Sequence, residues 1–160
     1  MYKGKILVES EPLKVLTVSL GLSPRSVLIC YSKSALLNML GEKCRDCIGI
    51  MEEDPWGIKP IYGELSLCEI YGKYGVRVYR NYSLNNYLVV ICPSLGEWLT
   101  NASLEVGVSL AELGLSTAWK KIYEVARVNK SKYESLVREL DKRGSLRLDV
   151  LRHLLLELMK

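Results

Sequence analysis

The chain has 160 residues, 49% of them apolar and 25% charged, which fits one compact domain with its own core and excludes a disordered or low-complexity segment. No apolar run approaches the roughly 20 residues that span a bilayer, and "MYKGKILVESEP" holds too short an apolar stretch for a signal peptide, so a soluble, cytoplasmic protein with no membrane partner is expected. The net charge of +4 is uneven: residues 117–160 carry 11 Lys/Arg against 6 Asp/Glu, whereas residues 1–116 carry 11 against 12.

The elements begin with "KILVE" at 5–9, a short apolar run that reads as a strand. Glu11 and Pro12 open a helix, where proline is tolerated in the first turn, and Leu13, Leu16 and Leu20 give it a buried stripe. "SVLIC" at 26–30 is the next strand, followed by "SKSALLNMLG" with a serine start signal and a glycine stop. "CIGIM" at 47–51 is a third strand. Alternation of this kind predicts a mainly parallel sheet with right-handed crossovers. Between Asp54 and Lys73 turn residues come first, then a short helix is expected around Leu65 to Tyr71. "VRVYR" at 76–80 reads as an edge strand and "YLVVIC" at 87–92 as a fully buried one, which gives a sheet of about five strands.

After Cys92 the pattern is helical. "SLGEWL" from Ser94 and "SKYESL" from Ser131 carry the Ser-x-x-Glu spacing of a capping box. Tyr133, Leu136, Val137 and Leu140 line one face, Gly144 stops that helix, and Ser145 begins a last one with Leu151, Leu154, Leu155 and Leu158. The expected organisation is an α/β body over residues 1–116, with flanking helices, and a helical extension over 117–160 packed on it. His153 reads as a surface or interface residue.

The five cysteines, Cys30, Cys44, Cys47, Cys68 and Cys92, are odd in number, which argues against a secreted disulfide framework. Cys44 and Cys47 form a lone "CRDC" with no second pair of soft ligands, so no structural zinc is expected, and a disulfide between the two stays open. Cys30 and Cys92 end apolar runs, where a thiol packs as a small buried hydrophobe. The lack of Gln and Phe and the single His lean towards a thermophilic source.

The chemistry-bearing stretch is "DCIGIMEEDPWG". In an open parallel sheet ligands sit outside the carboxyl ends of the strands. The first strand ends at Glu9 and the third at Glu52 and Asp54, so the acids share one edge if those strands are neighbours. Glu52 and Asp54 are two apart, which in an extended segment points both the same way and turns Glu53 aside. That spacing can hold a hard divalent cation. The same acids before "PWG" also read as a solvated turn, and Glu9 with Glu11 as residues favoured at a helix N-terminus. Trp56 is placed to line a cleft beside Asp54.

These residues carry a resemblance. "ILVES" resembles the first motif of the TOPRIM (topoisomerase-primase) family, an apolar strand ending in Val-Glu-Gly, and "IGIMEEDP" resembles the second, a strand ending in Asp-x-Asp. "VVICPSLGEWL" is similar to the strand and helix start of compact TOPRIM-like proteins of the defence-nuclease type. The resemblance spans residues 5–99. It implies Glu9 as a proton-transfer residue or metal ligand, Glu52 with Asp54 as ligands for Mg2+ or Mn2+, and action on nucleic-acid phosphodiesters. Trp56 and the basic Lys120, Lys121 and Arg127 would then hold the nucleic acid.

The sequence also departs from the family's pattern. Ser10 stands where the family has glycine, Leu13 near the place of a further Asp, and Glu52 in place of the first Asp. The family's helix-start glutamate falls on Gly96, with Glu97 one residue on. Two functions are therefore expected to compete: a magnesium-dependent nuclease, and a catalytically degenerate TOPRIM-like module that binds nucleic acid or a protein partner.

Overall fold

The computed structural model describes residues 1–57, 60–115 and 119–160, with the side chains of 119–123 left aside. Strands β2 (Ile6–Val8), β3 (Val27–Ile29), β5 (Ile48–Glu52) and β8 (Asn86–Ile91) are mutually parallel, and β7 (Val76–Asn81) and β6 (Ser66–Tyr71) add an antiparallel hairpin. The six-stranded sheet has the order β3-β2-β5-β8-β7-β6, and β1 (Tyr2–Lys3) pairs separately with β4 (Cys44–Arg45). The fold is α/β, with a largely parallel core flanked by helices.

Strict alternation along the strands separates two cores, because successive side chains point to opposite faces. Ile6, Val8, Ile48 and Ile50 face one side, where α1 (Glu11–Ser19), α3 (Leu95–Val106), α4 (Trp119–Val128), α5 (Lys130–Lys142) and α6 (Leu146–Leu158) lie. Leu7, Met51, Leu88 and Val90 face the other, under α2 (Lys33–Asn38) and a π-helical turn at Met39–Lys43. Gly49 makes that second layer fit: a Cβ there would lie 2.6 Å from Leu40 Cδ1 and 2.9 Å from Leu36 Cδ2. The helical extension shares the first core, since Tyr133, Leu136, Val137, Leu140, Leu148, Leu151 and Leu155 are all buried in it. No helix among the described residues is long and apolar enough to cross a membrane.

Three expectations are corrected. The segment at Leu65 to Tyr71 is not a helix but contains β6, the edge strand of the sheet. Residues 76–80 are not an edge; β7 lies between β6 and β8. The helix expected from Ser131 starts earlier, at Lys130, because Asn129 is the capping residue, its side chain accepting from the Lys132 N–H at 3.3 Å. Ser94 caps α3 as its spacing implies, accepting from Glu97 N, and Ser145, expected only to begin the last helix, caps α6 by accepting from Leu148 N.

The cysteines are all free thiols. Cys44 and Cys47 are fully buried, and burial together with the neighbouring Cys47 pushes the Cys44 thiol up to about 12. Cys30 and Cys92, expected to be buried, are only partly so, because each lies one residue beyond the last paired residue of its strand.

Candidate functional site

The chain runs from β2 outward to β3, then returns across β2 to add β5 on its far side. The carboxyl ends of β2 and β5 therefore flank the switch point of the sheet, the place where open α/β folds form their crevice. In this register Val8 pairs with Ile50, and the Glu9 N–H donates to Ile50 O at 3.1 Å, so Glu9 and Glu52 meet at that crevice. The sequence-based expectation that the first and third strands are neighbours holds.

The two carboxylates nevertheless leave the sheet on opposite faces. Glu9 follows Val8 and so shares the side of Leu7, where α2 begins; Glu52 shares the side of Ile48 and Ile50, where α3 begins. Each finds its own partner there. Glu9 Oε1 forms an ion pair with Lys33 Nζ in the first turn of α2, with only 13% and 19% of the two side chains exposed. Glu9 Oε2 accepts from the backbone N–H of Glu52 at 3.1 Å. Glu52 Oε1 accepts from the N–H of Leu95 at 2.6 Å, at the N-terminus of α3, where unsatisfied donors and the helix dipole favour an anion.

Burial raises the Glu52 carboxyl above the ordinary carboxylate range, and the charges of Glu9 and Asp54 add to the rise against the opposing Leu95 N–H. The folded protein consequently holds a proton on Glu52 at pH values where the unfolded chain has released it. Stability falls as pH climbs from the unfolded value through the raised folded one. Glu52→Gln keeps an oxygen for Leu95 but carries no charge. We expect it to melt higher than wild type at pH 8, with the gain shrinking to nothing by pH 4, as read by calorimetry.

Asp54 takes a different course from the one its spacing suggests. The strand ends at Glu52, and Asp54 adopts φ 48°, so the alternation of an extended chain does not reach it. Its carbonyl accepts from Gly57 N at 3.0 Å, and its Oδ2 would lie 2.8 Å from a Cβ at Gly57, which places the carboxylate over its own turn. Glu53 turns away from Glu52, as expected, and pairs with Arg77 on β7. Among the described residues, no three His, Cys, Asp or Glu side chains form a group that could hold a metal ion. As placed, the acids do not offer a divalent cation a shared set of free oxygens.

Trp56 follows the Asp54 turn and is 66% exposed. Arg127 is exposed near the end of α4; the side chains of Lys120 and Lys121 fall outside those described. The α4–α5 corner is tied to the start of α1 by Tyr133 Oη donating to Pro12 O at 2.9 Å, which brings it to the same end of the sheet as Glu9. Two residues of the site were not singled out from sequence. Lys33 was read only as part of a helix start, although a helix leaving the strand beside β2 must bring its first turn to Glu9. Tyr31, at φ 69° just past β3, is 81% exposed at the same edge. Beyond Lys33 a groove of about 540 Å³ continues between α2 and Tyr62, Leu65 and Asn81.

The fold and site thus define a largely parallel α/β protein whose switch-point crevice holds two carboxylates paired from within. Comparison with protein-family models, curated proteins and solved structures gave no match.

Proposed function

We propose that the chain is a TOPRIM-like module that binds nucleic acid at the carboxyl edge of its sheet without cutting it. The observation that carries this reading is the internal pairing of the crevice: Glu9 is held by Lys33 and the Glu52 N–H, and Glu52 by the N-terminus of α3. A nuclease centre needs those oxygens for a cation and a proton transfer. Here Lys33, the Glu52 N–H and the Leu95 N–H already engage them and no third ligand joins them among the described residues, so the residues do not fit Mg2+ or Mn2+ and no catalytic step is derived through either.

Binding is supported by what surrounds the pair. Tyr31 and Trp56 present large exposed aromatic surfaces at the edge, and stacking a base on such a ring is worth about 1–3 kcal/mol. Arg127, Lys130 and Lys132 at the α4–α5 corner are exposed and supply positive charge for the backbone. Unpaired, flexible strands suit this arrangement better than a duplex, because only unstacked bases reach the rings. The test is fluorescence anisotropy with a labelled single-stranded oligonucleotide at two salt concentrations. Wild type is expected to bind with a salt-dependent Kd, and Trp56→Ala and Tyr31→Ala each to weaken it about tenfold. Equal affinity in all three proteins, or no binding, contradicts the reading.

A further inference from the structure

The sheet ends on one side in β3, three residues long and half covered, and on the other in β6, which has no such protection. Every residue of β6 from Ser66 to Ile70 is exposed, although the strand runs for six residues and pairs only on its β7 side among the described residues. Edge strands are normally blunted by charged side chains, proline, bulges or brevity. β6 has no lysine or proline and runs six residues; it carries one charge, Glu69, and one register shift, and Leu67 and Ile70 still stand 49% and 63% exposed.

A register shift between Leu67 and Glu69 arranges these two residues. Leu67 pairs with Tyr79 and Ile70 with Arg77, and both partners lie on one face of β7. The shift at Cys68 thus puts Leu67 and Ile70 on the same face, despite a spacing that would separate them in a regular strand. Charge is distributed with a matching sense: exposed Glu64 lies two residues before β6 and exposed Lys73 two residues after it.

From these placements we propose that β6 is a dimerisation edge, on which a second copy of this chain adds its own β6 antiparallel about a two-fold axis between Cys68 and Glu69. That axis sets Leu67 opposite Ile70 of the second copy and Glu64 opposite Lys73 of the second copy, each contact occurring twice as isologous symmetry requires. The two six-stranded sheets become one continuous sheet, and the unpaired backbone donors and acceptors of both edges are satisfied. An unrelated extended peptide would gain the same backbone bonds, but the acid-first, base-last order of the edge matches an antiparallel copy of itself.

The proposal is tested by size-exclusion chromatography with light scattering on the full chain at about 100 µM, a concentration suited to micromolar association. The expected mass is twice the 18.1 kDa of the chain. Leu67→Lys/Ile70→Lys should run as a monomer with an unchanged far-UV circular dichroism spectrum, since both side chains are exposed. Glu64→Lys should weaken the dimer at low salt, and Glu64→Lys/Lys73→Glu should restore it. Cys68, the one exposed cysteine, should crosslink to its counterpart with a short bis-maleimide. A monomeric wild type, a dimer that survives the double lysine substitution, or a charge swap that fails to restore pairing would overturn the proposal.

Discussion

Asn86→Leu should destabilise the protein by about 4 kcal/mol, because it strands three buried backbone groups, each costing about 1–3 kcal/mol when unsatisfied. Asn86 is completely buried at the start of β8. Its Oδ1 accepts from Cys47 N at 2.9 Å, and its Nδ2 donates to Leu40 O at 2.7 Å and to Cys44 O at 2.9 Å. One side chain therefore joins the π-helical turn, β4 and the start of β5, and leucine of similar size supplies none of these bonds. In urea unfolding the midpoint should fall while the slope stays constant, which separates lost stability from a changed denatured state. In a calorimeter the same loss corresponds to about 8–16 °C for a chain of this length. A change below about 1 kcal/mol would mean that water replaces the amide and that the junction is not held as described.

The second large effect is expected at Lys33. Lys33→Met leaves Glu9 charged in a setting where only 13% of its side chain meets solvent, with one oxygen deprived of its partner. Removing one member of a fully buried pair costs roughly 3–5 kcal/mol; here Lys33 is 19% exposed, and solvent screening lowers the expectation to about 2 kcal/mol. Adding Glu9→Gln to Lys33→Met should recover most of the loss, since a neutral amide still accepts from Glu52 N and no longer needs a cation. The coupling between the two sites should exceed about 1 kcal/mol in a double-mutant cycle, as residues in direct contact show. Additive effects would indicate that the pair is not formed.

Much of this was legible in the sequence where one physical signal dominated. Continuous apolar runs located β2, β3, β5 and β8 to within about a residue, because strands buried on both faces admit few polar side chains. The meeting of Glu9 and Glu52 followed from the neighbouring of first and third strands. β6 was misread because it is exposed on both faces, so no alternating stripe marks it, and the shift at Cys68 leaves Leu67 and Ile70 at the three-residue spacing of a helix. The opposing faces of Glu9 and Glu52 were implicit in the parity of Leu7 and Ile50, but become usable only once the pairing register is fixed. Asp54 escaped its period through a left-handed backbone that alternation cannot foresee. Asn86 gave no local signal at all, since its partners lie 39 to 46 residues away.

The central claim is that the oxygens of the crevice acids are taken from within, those of Glu9 by Lys33 and the Glu52 N–H and that of Glu52 by the start of α3, so that they do not form a cation site. The most direct measurement is thermal unfolding of wild type and Asp54→Asn with and without millimolar Mg2+ or Mn2+. A ligand that binds only the folded state at 100 times its Kd stabilises by about 2.7 kcal/mol, a shift of several degrees for a chain of this length. The account predicts no such rise in either protein. A rise of several degrees in wild type that Asp54→Asn abolishes would contradict it and return the acids to a metal centre.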